Sequence, residues 1–420
     1  MWVEPGSGWP KGAGGRRRTL GVNLPALVEA GSLSASVVTD EETFYELAEA
    51  WDHLVDNCAS STPFQTHAWL SSWWRSYGTV GRLRVLVAHD GPELVAGMAL
   101  FLSGQRSVRV LSPIGVGLSD FCDVLVQDQP GQERNHVVDL LGRALADMGG
   151  WDMVDLPEVR PGAAALELYN SWKGATSTTP ASTCLELPTQ DLNSLIEALP
   201  RANSNTRSRR RAKLRKLDEV GITSREVQGA RLLEAISDFH RLHLSQWEAR
   251  GVAAEHKDAR FRRFLTTALP PMVDRGQAVV VEFHLAGRVM AVGINLVGAT
   301  MVGLYLAGVA PALRKHVEVS TLLLREAMGL ALDRKTPVFS FLRGLEDYKL
   351  RWRPQPVLNR RLLLGRPGSL RAHAHIVCAE GRALARPWLR AHAPWLKDLR
   401  SQARRRTWSP ALPSGVRRVR

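Results

Sequence analysis

The side chains that could do chemistry are concentrated in the segment 341–352, which reads FLRGLEDYKLRW. Glu346 is of the type that removes a proton from an amine or a hydroxyl. Tyr348 and Lys349 follow directly, and side chains of these types donate a proton to a leaving group or a hydrogen bond to an oxyanion. The spacing therefore marks Glu346, Tyr348 and Lys349 as the candidate catalytic residues.

The same segment also has a purely structural interpretation. Arg343 can pair with Glu346 or Asp347, which would make the segment a salt-bridged loop. The segment begins with the last two residues of a predicted strand, 338–342, and a polar loop at a strand end is where a rigid scaffold often presents functional groups. Gly344 permits an unusual backbone conformation or the close approach of a ligand. Residue chemistry alone leaves both interpretations open.

The elements before residue 190 mix helix and strand. Apolar residues at three- and four-residue spacing predict helices, and alternating or continuous apolar runs between turn residues predict strands. The predicted helices are 41–57, 63–74 and 133–148, and the predicted strands are 83–89, 94–102, 108–111, 124–127, 153–156 and 184–187.

The second half of the chain repeats this order: helices, a meander of three strands, a helix and a further strand. The repeat indicates an internal duplication within the α+β class. The predicted helices are 191–199, 203–218, 230–250 and 318–333, and the predicted strands are 278–285, 289–297, 301–309, 338–342 and 357–364. We accordingly predict a flexible leader (1–35), two domains (36–190 and 191–365) and a basic tail (366–420).

Several motifs, in order along the chain, resemble one family. The pattern F-x-R-G-x-E-x-Y-K-x-x-W after a strand is similar to the signature that closes the acetyltransferase domain of the CelD/BcsL family. Further similarities cover roughly residues 40–365. They are Trp51-x-x-Leu54, PFQTHAWLSSWW at 63–74, SDFCDVLV at 119–126, the basic helix 207–216, LHLSQWEARG at 242–251 and the meander with Tyr305.

The resemblance implies two tandem GNAT-like domains in a FemABX-like arrangement. It also implies an acyltransferase that uses acetyl-CoA or another acyl-CoA without a metal. The expected reaction is N- or O-acetylation of a sugar or amine acceptor in cellulose, exopolysaccharide or other envelope biosynthesis. Such a reaction needs no covalent intermediate, because the base, the oxyanion donors and the acid act on one ternary complex.

The acceptor is expected between the halves, where Asp120 of the first half would meet the 341–352 segment. Arg343, Trp352 and Tyr305 are the further predicted substrate contacts. Asp120 also has a plain structural alternative, an Asx-turn or a helix cap.

The donor site is expected at the helix after the second meander. In GNAT proteins the pyrophosphate of acyl-CoA rests there, because a helix amino terminus offers free N–H groups and a partial positive charge. The resemblance assigns Arg314 and Lys315 to the phosphates, with Ser320 and Thr321 as caps or donors. This chain has Glu318–Ser320 where the family usually carries a Ser-Pro-Gly type turn, and a carboxylate at this position would repel phosphate.

The net charge of +14 is unevenly distributed along the chain. Residues 366–420 hold twelve Arg and one Lys against two acids, and residues 207–216 hold seven cations. The remainder is mildly acidic, which argues against a nucleic-acid groove spread over the fold. The basic helix is either a solvated face or an anion contact. A FemABX-like enzyme would use it for the tRNA of an aminoacyl-tRNA donor, but the helix lacks the aromatic residues that favour nucleic acid.

The tail combines cations with apolar residues at helical spacing (Leu384, Trp388, Trp395 and Leu399). This pattern suits an anionic membrane surface or an acidic partner, such as a polysaccharide synthase assembly in which the chain would be a non-catalytic module. A solvated extension is the alternative, since two prolines interrupt the pattern.

Several classes of function have no support in the sequence. Metal-ligand spacings, a Ser/His/Asp set and a dinucleotide-binding glycine motif are all missing. The four cysteines are scattered, which is typical of a reducing compartment. No apolar run approaches the roughly 18 residues of a membrane helix. We therefore predict a cytoplasmic enzyme, which its tail could hold at the inner face of the membrane.

Overall fold

A computed structural model describes residues 27–104, 108–128, 131–199, 203–248, 258–378 and 380–381. Its strands are β1 (Val28–Ala30), β2 (Leu33–Val38), β3 (Leu83–Asp90), β4 (Glu93–Leu102), β5 (Val110–Pro113), β6 (Leu125–Val126), β7 (Met153–Val159), β8 (Thr176–Pro188), β9 (Thr223–Val227), β10 (Ala278–Leu285), β11 (Arg288–Val297), β12 (Met301–Val309), β13 (Val338–Arg343) and β14 (Gln355–Gly365).

The helices alternate with these strands in both halves of the chain. They are α1 (Glu41–Glu46), α2 (Ala48–Asp56), α3 (His67–Tyr77), α4 (Gly131–Asp147), α5 (Ala164–Ser171), α6 (Leu192–Ala198), α7 (Ser204–Glu219), α8 (Arg231–Glu248), α9 (Ala259–Asp274), α10 (Val319–Asp333) and α11 (Asp347–Leu350). Short 3₁₀ turns cover Pro63–Gln65 and Pro311–Lys315, and residues 370–378 are also helical.

The fourteen strands of the described chain join in one sheet, in the order β1-β2-β3-β4-β5-β7-β14-β8-β13-β12-β11-β10-β9, with β6 on β4. The pairs β5–β7 and β12–β13 are parallel. β14 lies between β7 and β8, and β8 in turn pairs with β13. The last strand of the chain thus completes the sheet of the first half, and the last strand of the first half extends the sheet of the second.

These ladders cross the predicted domain boundary at residue 190. The division into 36–190 and 191–365 therefore stays a prediction about the duplicated units, and hydrogen bonding does not stop at the boundary.

The two halves also share a hydrophobic core. α3 of the first half packs on α9 of the second, where the Trp69 ring meets Phe264 at 4.8 Å and Tyr305 at 5.3 Å between ring centroids, both edge-on. Trp69 is fully buried, and it belongs to the same cluster as Phe64 and Phe239. Burying aromatic side chains of this size makes the contact between the halves a large stabilising contribution.

The second meander and its flanking elements match the sequence prediction closely. β10, β11 and β12 have the predicted bounds within one residue, and α10 and β13 follow within the same margin. Ala286 and Gly287 both have positive φ, 50° and 75°, as a tight two-residue hairpin turn requires. Local periodicity is sufficient here because each strand is flanked by a clear turn signal.

Other predictions were wrong, beginning with the leader. Residues 27–35 of the predicted leader are structured, because β1 and the first half of β2 lie there; β1 pairs with β2, and β2 pairs with β3. β9 was not predicted because four of its five residues are exposed, which leaves no apolar alternation. α9 was not predicted because it contains Pro270 and Pro271, which normally interrupt a helix.

α5 was missed for a different reason, since its N-terminal cap is distant in sequence. Its N-cap residue, Ala163, makes no side-chain bond. Instead the backbone N–H groups of Ala164 and Ala165 donate to the carboxylate of Asp123, at 3.2 and 2.8 Å. A cap supplied from so far along the chain leaves no local N-terminal signal.

The basic tail and the predicted leader lie mostly outside the described residues, so the amphipathic pattern of residues 384–399 is not tested. Among the helices that the structure describes, none has the length and apolarity to span a membrane. Cys58, Cys122 and Cys184 are buried, and Cys378 is exposed; all four are free thiols.

Candidate functional site

The strands β12 and β13 begin as neighbours and then separate. They pair in parallel over Met301–Gly303 and Val338–Ser340, and the ladder between them ends there. A register shift in the β11–β12 ladder leaves Tyr305 as an extra, unpaired residue, which is a β-bulge. The Tyr305 hydroxyl donates to the Leu118 carbonyl at 3.1 Å, so this predicted substrate contact bridges the two halves instead.

A cavity of about 230 Å³, here called the basic cavity, opens beyond these strands. It lies between α7, the first turn of α10 and the α11 segment. Its lining residues are Thr206, Arg209, Arg210, Lys213, Glu318, Ser320, Tyr348, Arg351 and Trp352.

Helix α7 contributes most of the positive charge of the basic cavity. Leu214 and Leu217 are its only buried residues among those described. A narrow apolar stripe therefore packs α7 against the rest of the protein, and its cations stay near the surface. Arg210 stacks on the Trp352 ring, with its guanidinium carbon 4.7 Å from the ring centroid. Burial lowers the pKa of Arg210. Of the two interpretations of the basic helix, the anion contact fits Arg209, Arg210 and Lys213, which face this cavity.

Glu318, the N-cap residue of α10, places its carboxylate where the helix would favour an anion. It accepts from Lys213 Nζ at 2.5 Å, from Thr321 Oγ1 at 2.6 Å and from Arg351 Nη1 at 3.4 Å. Burial would raise the pKa of Glu318, but these donors outweigh it and hold the pKa below its ordinary value.

The four predicted donor-binding residues are not brought together. Ser320 lines the basic cavity, whereas Thr321 is 1% exposed and holds Glu318. Arg314 and Lys315 are exposed in the preceding 3₁₀ turn and do not line the cavity. Three of the four cations that do line it, Arg209, Arg210 and Lys213, come from α7, and the fourth is Arg351. Lys213 precedes Glu318 by 105 residues.

The predicted catalytic residues adopt distinct roles within the loop after β13. Lys349 is 5% exposed, and its Nζ donates to the Arg343 carbonyl at 2.6 Å and pairs with Glu346 at 2.9 Å. Gly344 has a φ of 114°, a backbone conformation that L side chains rarely adopt, and a Cβ there would also crowd the Glu346 carboxylate, so the position favours glycine. Lys349 therefore shapes the loop and is not free to reach a ligand.

Tyr348 is the member of this group that faces the basic cavity. Burial, assisted by the nearby Glu346 carboxylate, raises the pKa of Tyr348 to about 12. The hydroxyl consequently keeps its proton at neutral pH and can act as a donor.

Arg343 does not pair with Glu346 or Asp347, so the salt-bridged loop proposed from the sequence is wrong in its partners. Its guanidinium Nε and its backbone N–H both donate to Asp120, the latter at 3.2 Å. Asp120 is 8% exposed, and this burial raises the pKa of its carboxyl despite the neighbouring Arg343. The structure thus joins two predicted substrate contacts, which are 223 residues apart, across the halves.

A second cavity of about 210 Å³, here called the seam cavity, lies next to this ion pair. The first half contributes most of its walls and the second half contributes Arg343, and its two charged lining residues are Glu158 and Arg343. Its lining residues are Pro113, Val116, Gly117, Ser119, Cys122, Pro157, Glu158 and Arg343.

Sequence reasoning missed Glu158 and Asn359, which complete this network. Asn359 is 1% exposed, and its Nδ2 donates to the Asp120 carbonyl at 3.1 Å and to Glu158 Oε2 at 3.0 Å. Neither residue lies in a motif, and the only signal was an asparagine within the otherwise apolar and basic strand β14.

Nucleophilic and metal chemistry find little support in the described part of the chain. Burial raises the pKa of the Cys122 thiol well above its ordinary value and that of Cys184 to about 12, so both stay protonated. The described residues contain no group of three or more His, Cys, Asp or Glu side chains that could hold a metal ion.

Comparison with known proteins agrees with this architecture. Residues 204–350 match the family model described as Acetyltransferase (GNAT) domain, which confirms the predicted class, a GNAT-type acyltransferase. The chain is similar to the crystal structure of FemX, with a TM-score of 0.56 and 11% identity over 75% of this chain and 95% of FemX. No curated protein matches the chain significantly.

Two further solved structures show the same fold. One is a conserved protein of unknown function from Bacteroides thetaiotaomicron, with a TM-score of 0.53, 12% identity, and coverage of 78% of this chain and 98% of that one. The other is the C-terminal domain of a putative lysylphosphatidylglycerol synthetase from Agrobacterium fabrum, with a TM-score of 0.51, 13% identity, and coverage of 79% and 96%. The predicted fold class, α+β with tandem GNAT-like units in a FemABX-like arrangement, is confirmed.

Proposed function

We propose that this acyltransferase uses acetyl-CoA or another acyl-CoA, with the donor phosphates bound in the basic cavity. The observation that carries the proposal is the convergence of Arg209, Arg210 and Lys213 on the first turn of α10, beside Tyr348. Cations and free helix N–H groups together are the usual means of holding phosphate. The 230 Å³ cavity would hold the phosphate part of the donor, leaving the thioester to extend towards the separated strands.

The acceptor is proposed to lie at the seam, beside Asp120 and Arg343. In the ternary complex a base takes the acceptor proton, the acceptor attacks the thioester carbonyl, and the leaving sulfur is protonated. Tyr348 is the proposed acid, because its hydroxyl stays protonated and faces the donor side. Glu346, which is half-exposed and tied to Lys349, orients the loop and remains the sequence-based candidate for the base.

The pathway is proposed from the family resemblance. The CelD/BcsL motifs at 119–126 and 341–352 contribute Arg343 and Tyr348 to the two cavities, and they place Asp120 beside the seam cavity as the partner of Arg343. A saccharide or small amine acceptor in cellulose, exopolysaccharide or other envelope biosynthesis fits this assignment. A cytoplasmic location, and attachment to a membrane or a synthase through the tail, remain predictions.

The donor proposal is tested by titrating acetyl-CoA and longer acyl-CoAs into the full chain by calorimetry. We expect binding that Ser320→Glu abolishes, since a second carboxylate would enter the basic cavity. Ser194→Glu is the matched control, because it adds the same charge at an exposed position on α6 outside the cavity. Absence of binding to every acyl-CoA, or equal loss in both variants, would contradict the proposal.

A second candidate donor is an aminoacyl-tRNA, and Glu318 is the observation that favours it. Its carboxylate already occupies the helix terminus and engages Lys213 and Arg351, so a pyrophosphate must displace it. A tRNA would instead contact the outer cations of α7. Its affinity would then fall steeply as the salt concentration rises, because each of several phosphate contacts releases counterions. The affinity for acyl-CoA would change less.

A further inference from the structure

The Glu158 side chain presents one satisfied and one available oxygen at the seam cavity. Oε2 accepts from the Ser182 hydroxyl, from the Ser182 backbone N–H at 3.3 Å and from Asn359 Nδ2 at 3.0 Å. Oε1 makes no hydrogen bond within the described residues; its one ion-pair partner there is Arg343 Nη1 at 3.7 Å, which is beyond a direct hydrogen bond. Glu158 lines the cavity, so Oε1 is the acceptor available to a ligand there.

The backbone at Glu158 is strained, which indicates that its position is maintained by other contacts. Its φ is 59°, a left-handed conformation that side chains larger than asparagine rarely adopt. The Glu158 carbonyl accepts from the Cys122 N–H at 3.0 Å, which ties this strained position near the end of β7 to the loop after Asp120. Strain of this kind, costing about 1–3 kcal/mol, concentrates at functional sites.

The charges around the seam cavity sum to a negative value. Asp120 and Glu158 contribute two carboxylates, and Arg343 contributes one guanidinium whose Nε is committed to Asp120. Lys349 and Glu346, which flank Arg343, neutralise each other. Arg160 and Glu186 are also paired with each other, at 3.5 Å. The Cys122 thiol is protonated, so one negative charge is left unbalanced.

We propose that the seam cavity binds a primary amine, so that the reaction is N-acylation, and that Glu158 is the catalytic base. An ammonium group would donate a hydrogen bond to Oε1, and its positive charge would balance the excess carboxylate. A sugar hydroxyl is neutral and cannot balance that charge. The cavity of about 210 Å³ suits an amine of amino-sugar or amino-alcohol size. This inference rests on the proposed acyl transfer for its chemistry and on the cavity alone for its binding preference.

The proposed step balances as follows. Glu158 Oε1 takes one proton from the ammonium, and the neutral nitrogen attacks the thioester carbonyl to form a C–N bond. As the C–S bond breaks, the nitrogen loses its second proton and the leaving sulfur takes up one proton. The products are an amide, a free thiol and one proton released to water.

The test measures binding without any donor, by ligand-observed NMR at fixed pH. The probes are two matched pairs, D-glucosamine against D-glucose and ethanolamine against ethylene glycol. We expect each amine to bind at least about tenfold more tightly than its hydroxyl partner. Glu158→Gln should abolish the preference, and Glu46→Gln, which removes an exposed carboxylate on α1, should keep it.

Val116→Trp provides a second variant in case Glu158→Gln does not fold. It fills the cavity from a partly exposed loop position, and it should remove amine binding while leaving Glu158 in place. Equal binding of amine and hydroxyl probes, or no amine binding at all, would overturn the proposal. Amine binding in a protein that binds no acyl-CoA would refute the proposed donor and leave the amine site standing.

Discussion

The basic cavity and the seam cavity are both lined by residues of one short segment, Arg343–Trp352, yet they carry opposite charge. Three residues of the segment, Tyr348, Arg351 and Trp352, face the basic cavity, where α7 supplies the other cations. Arg343 faces the seam cavity, where it meets the Glu158 carboxylate of the lining and the Asp120 carboxylate beside it, so two negative charges surround one positive charge. The similar volumes, about 230 and 210 Å³, show that charge and not size distinguishes the two.

This difference assigns one substrate to each side of the segment. A phosphate-bearing donor is attracted to the basic cavity and repelled from the seam, and a cationic acceptor shows the reverse preference. Opposite charge in the two cavities would therefore direct each substrate to its own cavity. Arg343 at the seam cavity, and Arg209 and Glu318 at the basic cavity, are therefore the residues to change.

The largest expected effect comes from Arg343→Ala. The variant leaves the Asp120 carboxylate buried without its partner, so we expect a loss of about 3 kcal/mol in the free energy of unfolding. Urea denaturation measures it, with Arg288→Ala on β11, exposed and without an ion pair among the described residues, as the control expected to stay within about 0.5 kcal/mol of wild type. An equally small effect at Arg343 would mean that the ion pair does not join the halves.

The second largest effect concerns donor binding in the basic cavity. Arg209 is exposed and lines the basic cavity, so Arg209→Ala should weaken acetyl-CoA binding about fivefold through the loss of one phosphate contact. Arg215→Ala removes the same charge from α7 at a position outside the cavity and should have little effect. Equal weakening in both variants would indicate only a diffuse attraction by the helix.

Glu318→Gln should make the basic cavity more positive and so raise its affinity for the donor. It removes the carboxylate at the start of α10 and frees Lys213 and Arg351 for phosphate, so we expect acetyl-CoA to bind about three- to fivefold more tightly. Calorimetry measures the change, and Glu326→Gln on the same helix is the control. Unchanged or weaker acyl-CoA binding would support a donor that does not enter this terminus.

The smallest effect is the contribution of Glu318 to the pH dependence of the free energy of unfolding. The pKa of Glu318 is lower in the folded chain than its ordinary 4.5, so its ionised form stabilises the protein above pH 4.5. That contribution is lost as the pH falls through the folded-state pKa. Because the Glu318 ion pairs are partly exposed, we expect less than about 1 kcal/mol. Urea unfolding between pH 3 and 6 should show a shallower loss of stability in Glu318→Gln than in Glu326→Gln.

The sequence predicted the second meander, α10 and the candidate loop with nearly correct bounds. These elements have strong local signals: continuous apolar strands, glycine-containing turns and helical spacing. The elements it missed depend on contacts from elsewhere. α5 takes its cap from Asp123, and α9 tolerates Pro270 and Pro271 while packing against α3.

The site was predicted only in part, for a related reason. Tyr348, Ser320, Trp352, Arg343 and Asp120 do lie at the two cavities or beside them. Arg314, Lys315 and Lys349 were identified by charge and proximity in sequence. The structure turns the first two to solvent and commits the third to the backbone of its own loop.

The sequence by itself determined which segments form strands and helices in the second half, because hydrophobic periodicity and turn residues act over a few neighbouring positions. It also determined the chemistry available in the Phe341–Trp352 segment. The tertiary structure alone decided that β14 enters the sheet of the first half, and that Asp120 and Arg343 pair across 223 residues. It also decided which oxygen of Glu158 is left free, because burial and hydrogen bonding between distant residues follow from packing and leave no periodic signal in the chain.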